Sequence, residues 1–166
     1  MFETINDYTK SDKRKIVIFS AFRKDHYLTS SYIRLFSPLN ELSGEFEIEV
    51  VDWHTRRRFL KDLDKNRTSA DIIIISRDID IINKDLKFVE SLYEKLREND
   101  IKIIFDIDDN IMAIDENHTE YEYYRRFFEY FKFLVRNSDK IIVSTPYLKE
   151  SFKEYNDDIE VIEIPL

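Results

Sequence analysis

The feature that most limits what this chain can fold into is a regular alternation of short apolar runs with longer amphipathic ones. Lys15 to Ser20 (KIVIFS), Phe46 to Trp53 (FEIEVVDW), Asp71 to Ser76 (DIIIIS), Ile101 to Ile107 (IKIIFDI), Lys140 to Thr145 (KIIVST) and Ile159 to Ile164 (IEVIEI) are short and rich in β-branched residues. Ile72 to Ile75 and Ile101 to Phe105 are unbroken apolar runs, as in strands covered on both faces. "FEIEV" and "IEVIEI" alternate, as strands nearer an edge do. Helical patterns fill the gaps: Leu28 to Leu42, with Pro38 as an interruption, then Arg56 to Asn66, Lys84 to Asn99, Thr119 to Asn137 and Pro146 to Tyr155. Strand and helix in strict succession predict parallel strands joined by right-handed crossovers. The expected fold class is therefore α/β: a three-layer, doubly wound, Rossmann-like parallel sheet of six strands in a single domain, residues 15–166, after a polar lead-in, residues 1–14.

Such a sheet holds its ligands outside the carboxyl ends of the strands, near the point where strand order reverses. The residues to weigh are thus those in the strand-to-helix loops: "SAFRKDHYLTSS", "DWHTRRR", "SRDID", "DIDDNIMAIDENH" and "STP". Composition narrows the chemistry. There is no cysteine, so disulfides and thiolate sites are excluded, in keeping with a cytoplasmic setting. No apolar run approaches the roughly 18 residues of a membrane span, and the first residues lack a signal-peptide core. A net charge of −8 argues against nucleic acid as a partner of the whole surface and leaves any membrane contact peripheral. One glycine in 166 residues removes the glycine-dependent phosphate loops. Gly44 reads as a helix end before a strand.

The densest chemistry follows the fourth apolar run, where Asp106, Asp108 and Asp109 lie within four residues. Like charges this close need hydrogen bonds, a cation or hydroxyl groups to compensate them. One acid alone could cap the following helix or pin the loop. An apolar strand ending in Asp-x-Asp resembles the nucleophile loop of haloacid-dehalogenase-like phosphatases, in which the first acid attacks phosphorus and the second moves protons. Here the motif lies on the fourth strand instead of the first, and Asn110 stands where that family carries Thr or Val. In the second loop Arg56, Arg57 and Arg58 follow Thr55, a candidate N-cap, placing three cations at the positive end of a helix dipole. In the first loop Arg23, His26 and Arg34 are candidates, without a Ser-His-Asp or Cys-His set around them.

Several segments together resemble family-4-like glycosyltransferases of the GT-B type. "SSYIRLFSPLNEL" is similar to the helix after the first strand of that family, "SADIIIISRD" to its "aDiiiiqR" strand and "IKIIFDIDDNI" to its "kiiyDiDDdl" segment. "NSDKIIVSTPYLKESF" is similar to "aDkvivsTpyLae", and "IEVIEIPL" to the segment closing the first domain. The resemblance runs from Lys15 to Leu166 and implies an N-terminal, acceptor-side domain. The donor, a nucleotide-sugar co-substrate, would be bound mainly by a second, C-terminal domain or partner chain.

The resemblance also implies no metal and no cofactor. It assigns Arg23, His26, Arg34, Arg77, Asp106, Asp108, Asp109, His118 and Thr145 to a saccharide-binding wall, with Asp106, Asp108 or His26 as general base. Asp106 and Asp108 are expected to face the cleft, Asp109 to cap or bond nearby backbone, and Arg77 to pair with one of the acids. The first loop departs from the family in lacking glycine, so arginine side chains would have to meet phosphates there. One layered domain supplies a single cleft wall, so the isolated chain is expected to bind without catalysing transfer.

In "YEYYRRFFEYFKFLV", Tyr121, Tyr124, Phe128, Phe131 and Val135 recur at helical spacing and read as core. Tyr123, Phe127, Tyr130 and Leu134 form an adjacent stripe, suited to cover a partner domain, a second copy or a membrane face. Besides the glycosyltransferase domain, the sequence leaves open a non-catalytic α/β interaction module and a haloacid-dehalogenase-like phosphohydrolase.

Overall fold

The structure, a computed structural model, describes residues 13–20, 31–52, 55–77 and 85–163. Strand β1 is Arg14–Phe19, so Arg14 already belongs to the sheet and not to the lead-in. A π-helical turn, Tyr32–Phe36, leads into α1, Ser37–Glu41, and a 3-10 turn, Leu42–Gly44. Then follow β2 Phe46–Val51, α2 Arg56–Leu63, β3 Ile72–Ser76, α3 Leu86–Glu98 and β4 Lys102–Ile107. A 3-10 turn, Ile111–Ala113, precedes α4 Tyr121–Arg125, α5 Phe128–Asn137, β5 Lys140–Val143, α6 Pro146–Phe152 and β6 Ile159–Val161.

The six strands form one all-parallel sheet in the order β2-β1-β3-β4-β5-β6. As the alternating patterns predict, β2 and β6 are its edges. Right-handed crossovers then divide the helices unequally between the faces, because β1 to β2 runs one way across the sheet and every later connection runs the other. One face carries Val17, Phe19, Ile73, Ile75, Ile103, Phe105, Ile141 and Val143, and buries them under α2, α3, α5 and α6 through Phe59, Leu92, Leu96, Phe131, Leu134 and Phe152. The opposite face carries Ile16, Ile18 and Ile74, covered by the single stretch holding Leu35, Phe36 and Leu39.

Strand starts are pinned by acids. Asp71 accepts from the Lys15 amide at 2.6 Å and Asp139 from the Ile103 amide at 2.8 Å, each tying a strand to its neighbour's entry. The aspartates of "SADIIII" and "NSDKIIV" are therefore sheet-building residues. The helices end without glycine: Asn66 and Asp100 take left-handed φ values of 52° and 56°. The amides of Arg67 and Ile101 then return to the carbonyls of Asp62 and Leu96, closing the capping loops that glycine usually closes. Gly44 stands between helix and strand as expected, yet its φ is not positive and a Cβ there would meet nothing within 4 Å.

Three helical expectations change. Pro38 does not interrupt its helix; Ser37 N–H bonds back to Tyr32, a widened turn that relieves the clash of a proline ring with the carbonyl four residues earlier. The aromatic stretch is two helices, separated where Phe127 leaves helical geometry at ψ 3°. A single straight helix would have to bury two stripes at once. The break lets α5 bury Tyr130, Phe131, Leu134 and Val135, while Tyr123 on α4 remains 49% exposed. Thr55 does not cap α2: its hydroxyl donates to Asp52 Oδ1 at 2.8 Å, and the same carboxylate accepts the Thr55 amide.

Candidate functional site

Strand order reverses between β1 and β3, so the crevice predicted by topology belongs at their carboxyl ends, with β4 next to β3. The residues there follow a pattern the loop-by-loop reading overlooked. Three apolar strands are each followed or closed by serine, at Ser20, Ser76 and Ser144. Ser20, Ser31 and Ser76 are buried, and the Ser31 and Ser76 hydroxyls lie 3.2 Å apart, joining the start of the helix after β1 to the end of β3. A small polar residue after each apolar run is the sequence signal that marks this rim.

Asp106 is the last-but-one residue of β4, opposite Ser76 in the ladder, and is buried. Arg34, carried on the π-helical turn of the sparsely covered face, reaches it with a forked guanidinium: Nη2 to Oδ1 at 2.5 Å, and Nε to both carboxylate oxygens at 3.2 Å. The two side chains are 7% and 5% exposed. A buried carboxylate survives only with such a partner, since an isolated ion would carry a desolvation penalty of several kcal/mol. Asp106 therefore joins sheet and helix, and it does not face an open cleft as the sequence suggested. A nucleophile loop of the phosphatase kind needs that first acid exposed to an incoming phosphorus, and here it is sequestered.

Past the end of β4 the chemistry changes. Arg77 follows β3 and holds both remaining acids, Nε to Asp108 Oδ1 at 2.8 Å and Nη1 to Asp109 Oδ2 at 2.5 Å. The expected pairing of Arg77 with one acid is thus a pairing with two, and Asp109 is a clamp partner instead of a cap. Asp109 is the outermost, its side chain 63% exposed, against 23% for Asp108. Ser144 Oγ donates to the Asp108 carbonyl at 3.3 Å, drawing the end of β5 to the same rim. Asn110 Oδ1 is buried and has no hydrogen-bond partner among the described residues.

Thr145 and His118 have local tasks. Thr145 Oγ1 accepts from the Leu148 amide at 3.2 Å and caps α6, with Pro146 at the first helical position. His118 Nδ1 accepts from the Glu120 amide at 3.1 Å in an exposed turn before α4. In that turn Asp115 accepts from the Asn117 backbone amide and side chain, bonds that hold its carboxyl below the usual carboxylate range. Arg58 turns along α2 toward Asp62 at 3.8 Å. Arg23 and His26 lie outside the described residues.

Among the described residues no group of three or more His, Cys, Asp or Glu side chains is arranged to hold a metal ion. No described helix is long and apolar enough to cross a membrane. The fold defines the chain as a doubly wound α/β protein. Comparison with protein-family models finds no match, and comparison with curated proteins finds none either.

Proposed function

We propose that this chain is the acceptor-side domain of a GT-B type glycosyltransferase, one wall of a cleft in which a sugar passes from a nucleotide-sugar to a glycan, glycoprotein or lipid-linked acceptor. The observation that carries the reading is the Arg77–Asp108–Asp109 clamp: one partly buried and one exposed carboxylate oriented by one guanidinium at the carboxyl ends of parallel strands, beside the reversal of strand order. Carboxylates held in this way accept hydrogen bonds from vicinal hydroxyls, the recognition chemistry a saccharide needs. Asp108, half-buried and fixed through Oδ1, is the described acid best placed to take a proton from an acceptor hydroxyl; Asp106 is withdrawn from that role by Arg34. The donor would be held by a second domain or partner chain, since in-line transfer requires both substrates in one shielded cleft.

The test is sugar transfer from a panel of nucleotide-sugars by the full-length polypeptide encoded by the reading frame, alongside glycan binding to this chain alone. On the proposal, Asp108→Ala lowers kcat by about 100-fold or more, the scale of a lost general base. Absence of both transfer and saccharide binding would overturn it. A non-catalytic interaction module is the second reading, favoured by the fact that Asp106, Asp108 and Asp109 are all engaged by arginines.

A further inference from the structure

The edge of the sheet far from β4 has an organisation of its own. No strand pairs with the outer side of β2 among the described residues, which leaves a six-residue edge, about 20 Å of backbone, with unmatched hydrogen-bonding groups. Beside it lies a groove of ≈ 830 Å³ between this edge and the helical stretch from Tyr32. Its floor is Ile18, Ile48 and Val50, with Phe36, Phe46 and the half-exposed Tyr32 closing it.

The other face of the same strand carries two glutamates, Glu49 sharing a smaller recess with Lys15, Arg58, Asp62 and Arg67. Between Arg34 and Arg56 the chain carries Glu41, Glu45, Glu47, Glu49 and Asp52 and no lysine or arginine. Glu47 and Glu49 project opposite to Phe46, Ile48 and Val50, and a single cation, Lys15, reaches both, at 3.1 and 2.7 Å. Two half-exposed carboxylates thus share one positive charge.

We infer that this edge is a docking site for an extended segment of another protein in which apolar and basic residues alternate. Added as a seventh strand, such a segment places its apolar side chains beside Phe46, Ile48 and Val50 in the groove, and its lysines or arginines beside Glu47 and Glu49 on the opposite face. The same acids select against a second copy of this chain. Antiparallel self-pairings of β2 centred on Glu47, Ile48 or Glu49 set glutamate against glutamate, a destabilising arrangement.

The test is fluorescence anisotropy with a labelled peptide of alternating valine and lysine. Its controls are a peptide of the same composition with the valines and lysines in separate blocks, and one with glutamate replacing lysine. The inference expects the alternating peptide alone to bind, with hydrogen-exchange protection appearing in residues 46–51. The paired substitutions Glu47→Lys and Glu49→Lys should weaken it about tenfold, the sum of two cross-strand charge pairs, and should admit the glutamate peptide. The neutral pair Glu47→Gln and Glu49→Gln should give an intermediate loss, which keeps the test decisive should the charge reversal fail to fold. No binding, equal binding of the block peptide, binding without protection of β2, or a dimer protected along β2 would each overturn the inference.

Discussion

Two arginine–carboxylate contacts lie within a few residues of each other at the end of β4, and they differ in almost everything except their chemistry. Arg34 and Asp106 are enclosed, their side chains 7% and 5% exposed, and they link the helix of the sparsely covered face to the centre of the sheet. Arg77 and Asp108 lie beyond the strand ends with their side chains 25% and 23% exposed, and Asp109, at 63%, opens to solvent. Burial decides which contact is a fastener and which is available to a ligand. Inside, a lost partner leaves a charge that water cannot reach; outside, water and ions replace it at little cost.

The comparison breaks most sharply at Arg34. Replacing it with alanine takes the guanidinium away from the buried Asp106 carboxylate and is expected to destabilise the fold by about 3–5 kcal/mol, read from urea unfolding. The paired change Arg34→Met with Asp106→Leu removes both charges and should recover most of that loss, because well-packed apolar residues commonly equal or exceed a buried ion pair. Recovery would show that the pair positions the helix without being needed for net stability. A failure of the single change to destabilise would erase the distinction between the two contacts.

A neutral buried bond gives an intermediate case. Burial pushes the hydroxyl of Tyr93 far above its usual range, the Ser138 Oγ at 3.0 Å opposing the shift only in part. The folded state holds that proton more tightly than the unfolded state. Its contribution is therefore complete below pH of about 10, the unfolded value, and declines as pH rises beyond it. Tyr93→Phe should cost about 1 kcal/mol and flatten the alkaline limb of a stability–pH curve measured by thermal melting. Smaller still is the effect of Arg77→Ala, about 0.5 kcal/mol on unfolding, while saccharide binding by the clamp should be abolished in a titration of the folded protein. A large stability loss there with binding retained would invert the roles assigned to the two arginines.

Much of this arrangement was legible in the letters. Unbroken runs at Ile72–Ile75 and Ile101–Phe105 became interior strands and the alternating runs became edges, since the number of covered faces is written directly in side-chain period. The helical pattern beginning at Pro146 announced a helix start, and it is one, whereas the capping task of Thr145 went unread. What stayed hidden depends on distances between remote segments. Nothing local says that Arg34, 72 residues from Asp106, will reach it across β3, nor that Arg77 will hold both later acids. The break at Phe127 was hidden for a related reason: helical period registers how apolar a face is and not how much core is available to receive it.

The left-handed turns at Asn66 and Asp100 carry a consequence for the denatured chain. A polymer with a single glycine among 166 units samples a narrower range of backbone angles when disordered, so less configurational freedom is surrendered on folding. Strain at one asparagine and one aspartate corner among the described residues is traded for stiffness along the remaining backbone. Introducing glycine elsewhere would loosen the coil without relieving any corner that exists.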